Sequence, residues 1–197
     1  MLCSFIWTQV LTLHQAKGYP DLASRKFLRH LSDTIPDAPM FALVDFDPDG
    51  IAIMSTYKYG SQRLAHEDVA HQGTPGLKLP GLQWLGVQIH HMSRTPVAEG
   101  GTETAALADL QGLMRLTARD RKKAQRMLEW DICAADGAEP AWRSELQRML
   151  MLNVKAEMQI LDELPGGLLS WVSNALEATQ GWRQDASGMA SDDEMLF

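Results

Sequence analysis

The hexapeptide Asp45-Phe46-Asp47-Pro48-Asp49-Gly50 sets three carboxylates within five residues, directly after an apolar run. Two carboxylates flanking a single residue at a strand end can both reach one Mg²⁺ where the chain turns, and magnesium needs few protein ligands because it retains much of its water. On this reasoning Asp45 and Asp47 are the candidate metal ligands. The same residues suit a plainer purpose, since Asp47-Pro48-Asp49-Gly50 is a favourable turn in which an aspartate caps the helix that follows. A calcium loop is a third reading, because Asp45, Asp47, Asp49 and Gly50 match the first, third, fifth and sixth EF-hand positions. It fails at the last ligand position, where Thr56 cannot supply a bidentate carboxylate, and before Asp45, where a strand rather than a helix is expected.

The elements around this hexapeptide alternate. The pattern predicts a strand over Leu2–Leu13, a helix over Pro20–Asp33 with Leu22, Phe27, Leu28 and Leu31 on one face, and a short strand over Met40–Asp45. A helix then runs through Ile51, Met54 and Tyr57 and stops at Gly60-Ser61. Short apolar strands alternating with helices point to an α/β fold with a parallel sheet, and in such sheets ligands sit beyond the carboxyl ends of the strands, where Asp45 and Asp47 lie. Residues 70–104 are rich in glycine and proline around one further strand, Leu82–Val87. From Thr117 the reading is helical: Thr117 and Asp120 form a capping box, Pro140 starts a helix carrying Trp142, Leu146, Met149 and Leu150, and a last helix spans Leu168–Ala178. A polar tail from Gln184 is expected to be mobile. This divides the chain into a metal-binding core over 1–115, a helical C-terminal part of the same domain over 116–180, and a tail over 181–197.

Composition narrows the function classes. At 197 residues, 45% hydrophobic, the chain can bury a core without staples, and its two cysteines, Cys3 and Cys133, suggest neither a disulfide framework nor a zinc site. The run Met1–Leu13 is too short and too interrupted to span a bilayer. A net charge of −7 argues against a simple nucleic-acid binder, but it is unevenly spread: residues 1–129 sum to +1 and residues 130–197 to −8, so any DNA-facing surface belongs to the first part.

Ala42-Leu43-Val44-Asp45-Phe46-Asp47-Pro48-Asp49-Gly50-Ile51 followed by Tyr57-Lys58-Tyr59-Gly60-Ser61 resembles the Toprim signature of the A subunit of topoisomerase VI and of its eukaryotic meiotic double-strand-break relatives. Lys17-Gly18-Tyr19-Pro20-Asp21 with Arg25, Trp84-Leu85-Gly86, Leu116-Thr117-Ala118-Arg119-Asp120 and Lys155-Ala156-Glu157-Met158-Gln159-Ile160-Leu161 follow in the order of that family, over roughly residues 15–175. The resemblance implies a Rossmann-like Toprim sheet flanked by helices, with a helical C-terminal extension. It also implies Mg²⁺ as cofactor on Asp45 and Asp47, double-stranded DNA as substrate, and a site in the nucleus, on chromosomes. The partners implied are a homodimer or second A-type subunit, together with accessory recombination proteins and a B-type ATPase-like subunit. In the family a tyrosine of a winged-helix domain attacks a phosphodiester and stays attached to the 5′ end. Here Tyr19, Tyr57 and Tyr59 all fall inside Toprim motifs, so none is assigned as nucleophile, and the chain is expected to lack the catalytic tyrosine domain. The family's glutamate at the end of the first strand has no counterpart before Glu67, Ala16 stands where glycine is usual, and residues 1–14 match no motif, so a truncated or mis-joined start is expected.

Lys17, Arg25, Lys26 and Arg29, with Lys58 on the adjoining helix, are candidates for a phosphate-facing strip, of which Lys17, Arg25 and Lys58 are the DNA-binding choices; the plain alternative is a solvated helix face. His90 and His91 are expected to point apart into solvent, and Trp130, Trp142 and Trp171 to serve as core or partner-facing anchors. Three functions remain open: the Toprim portion of a DNA-breaking transesterase, a non-catalytic module that binds DNA or a full-length subunit, and a stand-alone Toprim nuclease, against which the missing glutamate counts.

Overall fold

A computed structural model describes residues 19–60, 76–92 and 111–189. The strand expected over Leu2–Leu13, Lys17 and the last residues of the tail lie outside the described residues.

Helix α1 (Leu22–Thr34) begins two residues later than Pro20 because Asp21 takes the cap, its carboxylate accepting the Ser24 N–H at 2.7 Å. Its buried face differs from the expected stripe. Phe27 is 48% exposed, while Leu28 packs on Tyr57, Leu79 and Leu82. Strand β1 (Met40–Leu43) and strand β2 (Leu82–Gly86) pair in parallel, from Met40 against Leu82 to Leu43 against Gly86. The pairing carries on past the strands, with Val44 N–H to the Gly86 carbonyl at 2.8 Å and Val87 N–H to the Val44 carbonyl at 2.7 Å. Helix α2 (Pro48–Tyr59) follows, with Pro48 in its first turn, where no backbone donor is needed. It is apolar nearly all round, burying Ile51, Ala52, Met54 and Tyr57, as a helix enclosed by neighbours must be.

After a short helix α3 (Ile89–Met92), strand β3 (Leu113–Arg115) leads to helix α4 (Ala118–Leu128), which opens with the expected capping box of Thr117 and Asp120. Helix α5 (Pro140–Leu152) packs beside α4 and ends at Asn153, which adopts the left-handed conformation at φ 55° that asparagine tolerates. The chain beyond Asn153 departs from the helical expectation: Val154–Ala156 forms a strand, β4, antiparallel to β3. Sequence periodicity over three residues cannot show such a strand, because its hydrogen bonds come from a partner some forty residues away. Helix α6 (Gly167–Met189) closes the described chain and continues through much of the stretch assigned to a polar tail.

The described strands thus form two two-stranded sheets, the expected parallel one of β1 and β2 and an additional antiparallel one of β3 and β4. Phe46 joins them: its N–H reaches the Ala156 carbonyl at 2.8 Å and its carbonyl accepts the Ala156 N–H at 3.0 Å. Phe46 is fully buried in a core with Ile51, Met54, Leu146, Met149, Ile160 and Leu161. Gly50 sits where the first turn of α2 lies against the strand end, and a Cβ there would overlap the Asp45 carbonyl oxygen and meet the Val44 side chain at 3.3 Å. Gly50→Ala is therefore expected to lower unfolding free energy by about 1–3 kcal/mol in urea titration, as overpacking against backbone does; an unchanged midpoint would show that the turn can open.

Candidate metal centre and its neighbouring cations

The bridge through Phe46 fixes the two aspartates beside it. With Phe46 turned into the core, Asp45 and Asp47 leave the opposite side of the chain, as residues two apart on an extended segment do. Asp45 accepts the Met158 N–H at 2.8 Å, which ties it to the 3₁₀ turn Met158–Glu163 after β4. Asp47 is extended (φ −151°) and caps α2, its Oδ1 accepting the Gly50 N–H at 2.6 Å. The helix-capping reading and the metal reading therefore do not exclude each other: the cap occupies one oxygen of Asp47.

The site's electrostatics are uneven. Burial lifts the Asp47 carboxyl above its usual range, opposed by the Gly50 N–H and Lys155 and reinforced by Asp49 and Asp45. Asp49, in the first turn of α2, is instead paired with the Lys123 ammonium of α4. Lys123 also donates to the Tyr19 hydroxyl at 3.0 Å and lies 5.5 Å from the centre of its ring. Burial pulls Lys123 down, but these partners outweigh it and hold the ammonium above the ordinary lysine range. Lys155 of β4 bonds Asp120 at 2.9 Å, and that bond raises it against the opposing effect of burial, with Asp47 and Asp49 adding to the rise. Burial pushes Asp120 up, yet the hydrogen bonds from Thr117 and Lys155 prevail and hold it below the usual carboxylate range.

The residues fit a cation only in one manner. Among the described residues no group of three or more carboxylate, histidine or cysteine side chains is arranged to hold a metal ion. What Asp45 and Asp47 offer is a pair of acidic oxygens whose companions accept backbone N–H groups, a donor set suited to hydrated Mg²⁺ rather than to a closed cage.

The predicted DNA-binding residues are not brought together. Lys17 lies outside the described residues. Arg25 is only 1% exposed, so it is turned inward from α1, beside Tyr57, and does not form a solvent strip. Lys58 lies at the far end of α2 from Asp47, about 16 Å along the helix axis. There it bonds Glu139 at 2.5 Å and stands 5.9 Å from the Trp142 ring, at the edge of a cavity of about 250 Å³. Tyr59 donates to the same Glu139, and burial together with that carboxylate pushes its phenol well above the ordinary range. His90 and His91 do not diverge as expected: they share the short helix α3 with rings 4.0 Å apart, and His91 packs edge-on to Trp171 at 4.8 Å. Burial, aided by His90, pulls His91 down to about 4. Lys123 and Lys155 are the members of the site that spacing alone does not single out, whereas Asp49 stands out by its spacing in the hexapeptide and Asp120 by the capping box. Lys155 stands within the motif Lys155–Leu161, which is the signal the sequence carries for it.

The sequence model of the TOP6A-Spo11 Toprim domain, the Toprim domain common to topoisomerase 6 A-type subunits and Spo11, matches residues 4–170. The chain belongs to this family. The match reaches back to residue 4, ahead of the motifs, which begin at Lys17. Among its relatives, meiotic recombination protein rec12 of Schizosaccharomyces pombe is 35% identical over 161 residues, covering 82% of this chain and 39% of the relative. Human meiotic recombination protein SPO11 is 36% identical over 156 residues, 79% of this chain and 34% of the relative. The DNA topoisomerase 6 A-type subunit of Arabidopsis thaliana is 32% identical over 165 residues, 84% and 34% respectively. The chain thus spans a little over a third of the length of these relatives. The Toprim assignment accounts for the α/β architecture, and no described helix is long and apolar enough to cross a membrane.

The two aspartates of this Toprim domain should differ in their effect on stability. Asp120, depressed in the fold, contributes stability that is complete above the ordinary carboxylate range and is lost as pH falls through its lowered value. Asp47, raised in the fold, favours the folded state when neutral, and that contribution is lost as pH rises through its raised value. At neutral pH without metal, Asp120→Asn should cost about 1–2 kcal/mol. Asp47→Asn, whose amide still caps α2, should leave the Tm unchanged or raise it. Thermal scans in chelator decide, and equal losses in both variants would contradict the assigned directions.

Proposed function

We infer that this chain is the metal-binding, DNA-holding Toprim portion of a Mg²⁺-dependent transesterase that makes DNA double-strand breaks in meiotic recombination, in the nucleus and on chromosomes. The observation that carries the reading is the gathering of Asp45, Asp47 and Asp49 at the strand-to-helix corner where the two sheets join, with the part-buried Asp47 carboxyl held above its usual range. An acid kept in a setting unfavourable to its charge supports a site for a cation. Asp45 and Asp47 are the residues that would hold Mg²⁺. The ion supplies charge neutralisation on a phosphodiester and its leaving oxygen.

Beside the acidic group, α4 presents Arg119, Lys122 and Arg126 to solvent, a row of cations suited to phosphates. The candidate phosphate surface thus moves from α1, which the sequence favours, to α4. The attacking tyrosine is expected to be none of the three in this sequence: Tyr59 is bonded to Glu139, Tyr57 is buried, and Tyr19 accepts from Lys123. Those three environments also favour the second reading, a module that binds DNA or pairs with a full-length A-type subunit without forming a covalent bond itself. Accessory recombination proteins and a B-type ATPase-like subunit would complete the assembly in the first reading.

Calorimetric Mg²⁺ titration tests the metal assignment. Asp45→Asn and Asp47→Asn should each weaken binding about tenfold or more, since each removes a charge from a site with few protein ligands. Because Asp47 is raised, affinity should begin to fall on acidification at a higher pH than an ordinary aspartate would give. Unchanged affinity in both variants would remove the metal site. Incubation with duplex DNA and Mg²⁺, followed by mass analysis, separates the two readings: the chain alone should yield no phosphotyrosyl adduct, and an adduct through Tyr19, Tyr57 or Tyr59 would make it catalytic by itself.

A further inference from the structure

We propose that Lys123 is a latent phosphate-binding residue, held away from DNA in the resting chain by Asp49 and Tyr19 and handed to the backbone when a duplex lies along α4. The inference rests on the DNA reading above and concerns how that surface is regulated.

Three observations converge on it. Lys123 lines, with Ala118, Arg119, Lys122 and Arg126, a surface concavity of about 460 Å³ that has no acidic residue among the described residues of its wall. It is the member of that wall whose ammonium is turned inward, onto the Asp49 carboxylate and the Tyr19 hydroxyl. The pair it makes is part-buried and reached by water chiefly on the Asp49 side, with side-chain exposures of 24% for Lys123 and 39% for Asp49. An ion pair that solvent still reaches is screened, so a phosphate can compete with the carboxylate for the same ammonium. A duplex already held by Arg119, Lys122 and Arg126 presents further phosphates within reach of a lysine on the same helix face.

The exchange has a consequence for the acidic site. Asp49 is the carboxylate of the cluster that the resting structure neutralises through Lys123, while Asp45 and Asp47 are left to backbone donors. Moving the ammonium onto a phosphate returns a full negative charge to Asp49 beside Asp47. Engagement of DNA along α4 thus makes the neighbouring site more attractive to a divalent cation, and the two ligands favour each other.

The test is a double-mutant cycle on duplex binding by the full chain, read by fluorescence anisotropy across a salt series in chelator, so that no metal effect enters. Asp49→Asn should tighten binding about three- to tenfold at low salt and steepen the salt dependence by about one released counterion. Lys123→Gln alone should change binding little, because in the wild-type chain the phosphate contact that Lys123 gains is offset by the Asp49 pair it gives up. In Asp49→Asn/Lys123→Gln the gain should vanish, and Lys123→Arg in the Asp49→Asn background should keep it, which guards against misfolding as the cause. An equal gain with and without Lys123 would overturn the proposal, because removing any acidic charge would then explain it. So would a full loss of binding in Lys123→Gln alone, which would mean that the lysine touches DNA from the outset. If the wild-type chain and every variant fail to bind duplex at low salt, the DNA reading itself falls, a result distinct from either of these.

Discussion

The paired backbone hydrogen bonds between Phe46 and Ala156 are the constraint on which the site depends. A strand end is ordinarily free to fray, and a carboxylate on a fraying end has no fixed direction. Here the chain leaving β1 is held on one side by Gly86 and on the other by Ala156, while the Phe46 ring is sunk in the core. Asp45 and Asp47 have no choice of face once Phe46 is committed inward. The close approach at Gly50 then sends α2 away at once, so the acidic residues sit at the corner between a strand and a helix start.

Around that corner the charges are compensated selectively. Asp49 and Asp120 each have a lysine, and Asp45 has the Met158 N–H. Asp47 has a helix N-terminus and a more distant Lys155, which do not offset the burial of its carboxyl. A structure selected for stability alone would place a neutral cap there, since asparagine and serine cap as well as aspartate. The retained charge on Asp47, against the effect of burial, is what supports the proposed metal site over an ordinary turn of the same sequence.

Helix α2 divides the family motifs between two poles. Its N-terminal pole gathers the acids with Tyr19, Lys123 and Lys155; its C-terminal pole gathers Lys58, Tyr59, Glu139 and Trp142. Lys58 and Tyr59 therefore lie at the far end of α2 from the proposed metal position and anchor that end against the start of α5 through Glu139. That anchoring is a packing and ion-pair matter.

The sequence by itself determined the local features that depend on neighbours along the chain. The strand at Met40, the helix start after Asp47, the capping box of Thr117 with Asp120 and the proline-led start of α5 all follow from residue type and short spacing, and the order of the motifs indicated the family. Tertiary structure decided everything that needs a partner distant in sequence. Lys123 reaches Asp49 across 74 residues and Tyr59 reaches Glu139 across 80, and no periodicity encodes such a meeting. Arg25, an exposed cation by its composition, is turned inward, and the candidate phosphate surface passes to α4 because packing, not charge, chooses which face of a helix is covered. The short strand after Asn153 belongs to the same class: three residues carry no readable period, and β3 alone makes them a strand.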